Sequence, residues 1–200
     1  GKPSGASAAY TPDEAPQKVP GFKQSAASDG AVTLSWNAAV THGTQVSDYV
    51  VTVNGRTISA GSTLGTTVSG LTNGQAYTFT IVAKNALKAG PATTTNGYAA
   101  GAPKFSGPVT PQDVQPVDAD ATAVTVSWPA ADSNGPEAAS YTLTRTGGGG
   151  SKVVCTDVPG TSCQDQGVSF GATYTYSVVA KTVFLNVTRT SASVSASAYT

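Results

Sequence analysis

The residues of this chain that could do chemistry are few and scattered. His42 is the only histidine, set in Thr41-His42-Gly43-Thr44-Gln45, and Asp48 is the nearest acid in sequence. A Ser-His-Asp or Cys-His pairing could be built only around it, and its setting reads as a surface loop. One histidine and two cysteines cannot assemble a four-ligand zinc site. Asp132-Ser133-Asn134-Gly135-Pro136-Glu137 offers oxygen ligands but not the length or spacing of a calcium loop, so a simple turn is expected. Gly147 to Gly150 is followed by neither a Lys-Ser/Thr pair nor a helix, which makes it a flexible turn rather than a phosphate cradle. No cluster suggests a cleft with perturbed carboxylates. The expectation is no catalytic residue, no metal and no cofactor.

Cys155 and Cys163 stand eight apart and flank the turn Val158-Pro159-Gly160-Thr161. Paired, they would close a short loop and stabilise it by about 2.5 kcal/mol on the chain-entropy estimate. Two unpaired buried thiols are the alternative, disfavoured because two cysteines meeting across one hairpin-like turn is poor use of chance. Pairing implies an oxidising compartment.

Charged residues make up 11% of the chain, with 11 Lys+Arg against 11 Asp+Glu, where an average soluble domain has about 25%. A neutral, charge-poor surface gives no electrostatic footprint for nucleic acid or acidic lipid. No apolar run approaches the ~18 residues of a membrane span, and no signal peptide is visible. The chain has no Met, as expected of a mature or excised product. Solubility then rests on Ser, Thr, Asn and Gln, a surface suited to secreted or wall-associated proteins or to subunits packed against copies of themselves.

Two stretches must position everything else: Leu71 to Lys84, LTNGQAYTFTIVAK, and Val168 to Lys181, VSFGATYTYSVVAK. Each alternates strictly after its Gly-x-x-Tyr, and a period of two over that length is a strand with one buried face. Tyr77, Phe79, Ile81 and Ala83 share one side; Tyr174, Tyr176, Val178 and Ala180 share the corresponding side. Gly74 and Gly171 sit where the chain turns before the strand. The following tyrosine can bury its ring while its hydroxyl bonds back to that turn, a tyrosine corner.

A repeat divides the chain. Trp36 closes AVTLSW and Trp128 closes AVTVSW, 128 − 36 = 92 positions apart, and Tyr49 and Tyr141 share that spacing, 141 − 49 = 92. Tyr77 and Tyr174 are 174 − 77 = 97 apart, so the second copy gains five residues between Tyr141 and Tyr174. Each copy has the size of a small sandwich. The reading in order is an extended Pro/Ala/Ser arm over 1–19, a first domain over 20–98, a Pro/Gly linker over 99–110 and a second domain over 111–200. Both domains are all-β and seven-stranded. Strand A of the first holds Phe22, strand B spans Ala31 to Asn37, and C spans Val46 to Val53. Asn54-Gly55 is a two-residue hairpin turn, followed by C′ (Arg56 to Ser59), E (Thr66 to Ser69), F, and G from Ala92 to Tyr98. In the second domain, A lies near Val114 to Val117, B spans Ala123 to Trp128 and C spans Ser140 to Arg145. C′ spans Lys152 to Thr156, E spans Thr161 to Asp165, and a loop through Val183-Phe184-Leu185-Asn186 follows F. Trp36, Tyr49, Tyr77, Trp128, Tyr141 and Tyr174 are the expected core markers.

These residues resemble a fibronectin type III domain. The marks are Trp at the end of strand B, Tyr in strand C, Leu71-x-x-Gly74-x-x-Tyr77, and TFTIVAKN followed by Gly90-Pro91. The resemblance covers Pro20 to Tyr98 and extends to Pro111 to Thr200. There it departs, with Val168 where the family has Leu, Phe184-Leu185 in a normally polar loop, and an additional cysteine pair. The Ala/Gly/Thr-rich style is similar to tandem modules of secreted and surface proteins of high-GC Gram-positive bacteria. It implies a non-catalytic spacer, an adhesive unit, an accessory to a polysaccharide-degrading enzyme, or a phage virion component. On that origin the sequon Asn186-Val187-Thr188 would go unused.

Two regions are candidate contact surfaces. In this topology the loops after B, C′ and F lie at the pole where a domain begins. Phe184 and Leu185, with Val183 and the linker's Phe105, are therefore expected to plug the junction near Asn54-Gly55 and Asn73; an exposed contact patch is the alternative. His42 and Leu87 mark the loops of the first domain's other pole. The arm is expected either to dock, through Ala6 to Pro16, on a neighbouring copy, since sandwich edges accept a further strand, or to lie along its own domain. The overall expectation is an extracellular, non-catalytic structural or adhesive tandem whose partner is a protein, a copy of itself or a wall polysaccharide. The alternatives are an accessory module of a secreted polysaccharide-degrading enzyme and a phage particle protein.

Overall fold

A computed structural model describes residues 14–106, 123–169 and 171–199. The strand A expected near Val114 to Val117 and the arm up to residue 13 lie outside them. Contacts divide the chain into two compact units. One is built on Ala31–Gly70 and Ala76–Gly97 with the residues before Ala27; the other takes Ala27–Gly30, Leu71–Gln75 and the chain from Tyr98 on.

The first sandwich has β1 (Lys23–Ser28), β2 (Ala31–Ser35), β3 (Asp48–Val53), β4 (Arg56–Ser59), β5 (Gly65–Ser69), β6 (Ala76–Lys84) and β7 (Thr93–Tyr98). One sheet runs β1-β2-β5 and the other β4-β3-β6-β7. Alternation decides what fills the space between them. Val32, Leu34 and Trp36 from the smaller sheet meet Tyr49, Val51, Phe79 and Ile81 from the larger, all buried. Each such side chain contributes about 1.5–3 kcal/mol relative to exposure. Asn54 and Gly55 take φ of 47° and 74°, the turn that suits a twisted hairpin, and set the register Val53↔Arg56. Residues 14–19, part of the expected arm, lie on this sandwich. Pro16 and Val19 are buried, Gln17 N donates to Val40 O at 2.8 Å, and Asn85 Nδ2 donates to Glu14 O at 2.7 Å.

The second sandwich has β8 (Ala123–Ser127), β9 (Ser140–Gly147), β10 (Gly150–Val158), β11 (Ser162–Gln166), β12 (Thr173–Phe184), β13 (Val187–Thr190) and β14 (Val194–Tyr199). One described sheet is β11-β8; the other runs β10-β9-β12-β13, with β14 also pairing β12. Ser169 N donates to the Tyr174 hydroxyl at 3.1 Å, the tyrosine corner expected from the sequence. The loop expected over Val183 to Asn186 is corrected. β12 continues through Phe184, and Leu185 and Asn186, at φ of 50° and 60°, make a two-residue turn into β13. A left-handed pair closes a hairpin directly, so the ladder extends to Phe184↔Val187 where a polar loop was expected. The last strand is not continuous either. Lys181↔Thr190 gives way to Val178↔Val194, three residues on one strand against four on the other, which is a bulge.

A second bulge has a chemical result. β10 shifts register between Val153↔Thr144 and Cys155↔Leu143. Leu143 faces the core, so the extra residue turns Cys155 to the inner face, where it forms a disulfide with Cys163 of the opposite sheet.

Candidate functional site

The two sandwiches fill three equivalent core positions with opposite chemistry. Shifting by the 92-residue repeat puts Arg145 where the first copy has Val53. Val68 pairs with Val32 on β2, and at the equivalent place Asp165 pairs with Val124 on β8. Phe79, two residues after the strand tyrosine Tyr77, corresponds to Tyr176, two after Tyr174. Val53, Val68 and Phe79 are buried hydrophobics, whereas Arg145, Asp165 and Tyr176 are charged or polar and enclosed at one end of the second core.

Asp165 organises this cluster. Its side chain is 0% exposed, and Oδ2 accepts hydrogen bonds from Arg145 Nη1 and the Tyr176 hydroxyl, each at 3.0 Å. Arg145, 14% exposed, also donates to Gly167 O at 3.4 Å and lies over the Tyr174 ring at 4.8 Å. Lys152 sits opposite Arg145 across the β9–β10 ladder. Its Nζ is 3.9 Å from Asp165 Oδ1, an electrostatic contact too long for a hydrogen bond, and Oδ1 has no hydrogen-bond partner. Burial, then the bond to Asp165, pushes the Tyr176 phenol well above its ordinary value, so it stays a neutral donor.

Beside the cluster is a cavity of about 240 Å³ lined by Arg145, Gly147, Gly148, Gly149, Gly150, Ser151 and Lys152. Gly148 and Gly149, at φ of 60° and 94°, form the turn, and Gly147 pairs with Gly150 below it. From the sequence Gly147 to Gly150 reads only as a flexible turn, and Arg145, Asp165 and Tyr176 carry no motif that ties them to it. The signal that finds it is a comparison of inward positions between the two repeats.

Apart from Tyr174, whose ring lies under Arg145, the residues singled out from the sequence fall elsewhere. Trp36 and Trp128 are each 4% exposed, and Tyr49 and Tyr141 tilt against them. The Tyr49 and Tyr141 hydroxyls accept from Ala39 N and Ala131 N, both at 2.9 Å. Phe105 is docked on Tyr141 with centroids 6.2 Å apart. Phe184 meets Tyr98 edge-on, while Val183 and Leu185 are exposed. The His42 ring lies 3.1 Å from Gln17 Nε2, and its carbonyl accepts from Glu14 N. Leu87 is 60% exposed, and its N–H caps onto Asn85 Oδ1. The Asp132 stretch is the simple turn expected, with Asn134 N donating to Asp132 Oδ1 at 2.8 Å. Among the described residues no group of three or more His, Cys, Asp or Glu gathers at a metal-holding distance.

Residues 14–96 match the family model of the fibronectin type III domain. The match falls on the first sandwich, which is a fibronectin type III domain. The chain is also similar to a two-domain fibronectin type III segment from chicken tenascin, at 20% identity and a TM-score of 0.44 over 91% of this chain and 99% of that one. Among curated proteins, Chitinase Chi52 of Paenibacillus xylanexedens is 44% identical over 77 residues, 38% of this chain. Chitinase A1 of Niallia circulans is 32% identical over 190 residues, 92% of this chain. The chain spans 14% and 26% of the lengths of these two relatives.

Proposed function

We propose that this chain is a non-catalytic spacer tandem of a secreted polysaccharide-degrading enzyme, with chitin as the polymer class. The observation that carries this reading is the alignment with Chitinase A1 of Niallia circulans. It runs through nearly the whole chain yet covers only 26% of that protein, as expected for modules carried by a larger enzyme. The interiors support a holding role: packed aromatic and aliphatic side chains fill most of both, and the polar side chains Arg145, Asp165 and Tyr176 are engaged with one another. The described aromatic rings are buried or partly buried, so they serve the cores rather than a flat stacking platform for sugar. The disulfide suits an oxidising, extracellular setting.

The test has two parts. The chain alone is incubated with insoluble chitin and with a soluble chromogenic chitooligosaccharide; neither retention on the solid nor hydrolysis is expected. The chain is then inserted between a chitinase catalytic domain and a chitin-binding module. Faster sugar release from insoluble chitin, with soluble turnover unchanged, is the expected result. Identical rates on solid chitin with and without the tandem would refute the spacer role.

A further inference from the structure

We propose that the end of the second sandwich at the β9–β10 turn binds a small anionic group, a phosphate, sulfate or carboxylate, in the cavity lined by Arg145, Lys152 and the bare backbone of the glycine turn. Three observations carry this independently of the spacer reading.

The first is that stability does not account for the charges. The first sandwich closes the same three positions with Val53, Val68 and Phe79, all buried. A buried ion pair is on average no better for stability than the hydrophobic residues that could replace it. Arg145, Asp165 and Tyr176 therefore bring chemistry that the fold itself does not require.

The second is the glycine run. A Cβ on Gly147 would fall 2.7 Å from Thr173 O and one on Gly148 2.8 Å from a Tyr174 ring carbon, so packing explains both. Gly149 needs its positive φ of 94°. Gly150 has neither reason: its backbone is not left-handed and an added Cβ would meet nothing within 4 Å. A bare main chain at the edge of a cavity is what lets a ligand reach backbone groups.

The third is charge and size. Two cations against one carboxylate leave a net positive charge at the cavity. Asp165 Oδ2 is already engaged by Arg145 and the neutral Tyr176 hydroxyl, which holds the Arg145 fork in place. Lys152 is 55% exposed and 3.9 Å from Oδ1, so it can swing to an incoming oxygen without losing a hydrogen bond to Asp165. The volume of about 240 Å³ is far above the roughly 10–15 Å³ that one water needs on the same measure. It is below the roughly 300 Å³ at which pockets for whole drug-sized ligands begin. One anionic group with its nearest waters fits these bounds.

The test is a titration of the full chain, followed by backbone amide shifts at low ionic strength, with inorganic phosphate, sulfate and acetate, and with chloride as control. Saturable shifts at Gly147 to Lys152 are expected. Lys152→Gln should weaken them about tenfold, the loss of one charge-assisted contact. The triple variant Arg145→Val/Asp165→Val/Tyr176→Phe installs the first sandwich's residues and should abolish saturation while keeping a folded spectrum. A soluble polyuronate is the second arm. Tighter binding by the polymer than by acetate assigns the group to an acidic polymer, and equal binding assigns it to a free ion. Shifts that do not saturate, that chloride reproduces, or that Lys152→Gln leaves unchanged would overturn the proposal. Lys152 lies at the surface, so that variant decides the matter even if the triple variant fails to fold.

Discussion

Removing the Asp165 carboxylate alone should cost far more stability than removing the whole buried cluster. In Asp165→Ala the guanidinium of Arg145, 14% exposed, loses its carboxylate, and the Tyr176 hydroxyl loses its acceptor. Stranding a buried charge costs about 3–5 kcal/mol. Arg145 keeps the Gly167 carbonyl at 3.4 Å and the face of Tyr174, which moves the expected loss to the lower end, about 3 kcal/mol. That is a large part of the roughly 5–15 kcal/mol available to a domain. The triple change to Val, Val and Phe strands nothing and should be neutral or stabilising by about 1–4 kcal/mol. Urea unfolding followed on amide resonances of the second sandwich reads this unit without averaging it with the first. If the triple variant loses as much as Asp165→Ala, or Asp165→Ala loses nothing, the cluster is not a buried ion network and the reasoning fails.

Three further outcomes follow from the same geometry. The folded state holds the Tyr176 phenol neutral while the unfolded chain ionises near its ordinary value of 10.0, so the second sandwich should be stable below about pH 10 and weaken above it; a Tyr176→Phe variant that kept the same alkaline loss would contradict this. Replacing Cys155 and Cys163 with serine should lower the stability of the second sandwich by about 2.5 kcal/mol and leave the urea midpoint of the first unchanged, because the closed loop lies wholly within the second. Leu185 holds a φ of 50° that costs a side chain with a Cβ about 1–2 kcal/mol, so Leu185→Gly should raise the thermal midpoint of the second sandwich, and a fall would mean its exposed side chain has a stabilising contact.

Much of the architecture could be read along the chain because it is written in local terms. The alternation through Tyr77, Phe79 and Ile81 fixes which face is buried, and Asn54-Gly55 states its own turn type. The repeat spacing of 92 is a count of residues. What resisted local reading is whatever depends on two distant strands meeting. Arg145, Asp165 and Tyr176 come from three strands in two sheets, and none carries a sequence signal for the others. Leu185-Asn186 looked like loop because leucine seldom enters the left-handed region, and tertiary pairing of β12 with β13 overrode that preference.

By itself, then, the sequence determined the number of sandwiches, the hydrophobic pattern of their strands and the tyrosine corner at Tyr174, since periodicity two and turn chemistry act over a few residues. Only the tertiary structure decided that the expected Cys155–Cys163 pair is reached through a bulge in β10 that turns Cys155 inward, and that one core ends in a buried carboxylate beside a cavity. The physical reason is register: a one-residue slip sends a side chain to the opposite face, and register is settled only when strands pair.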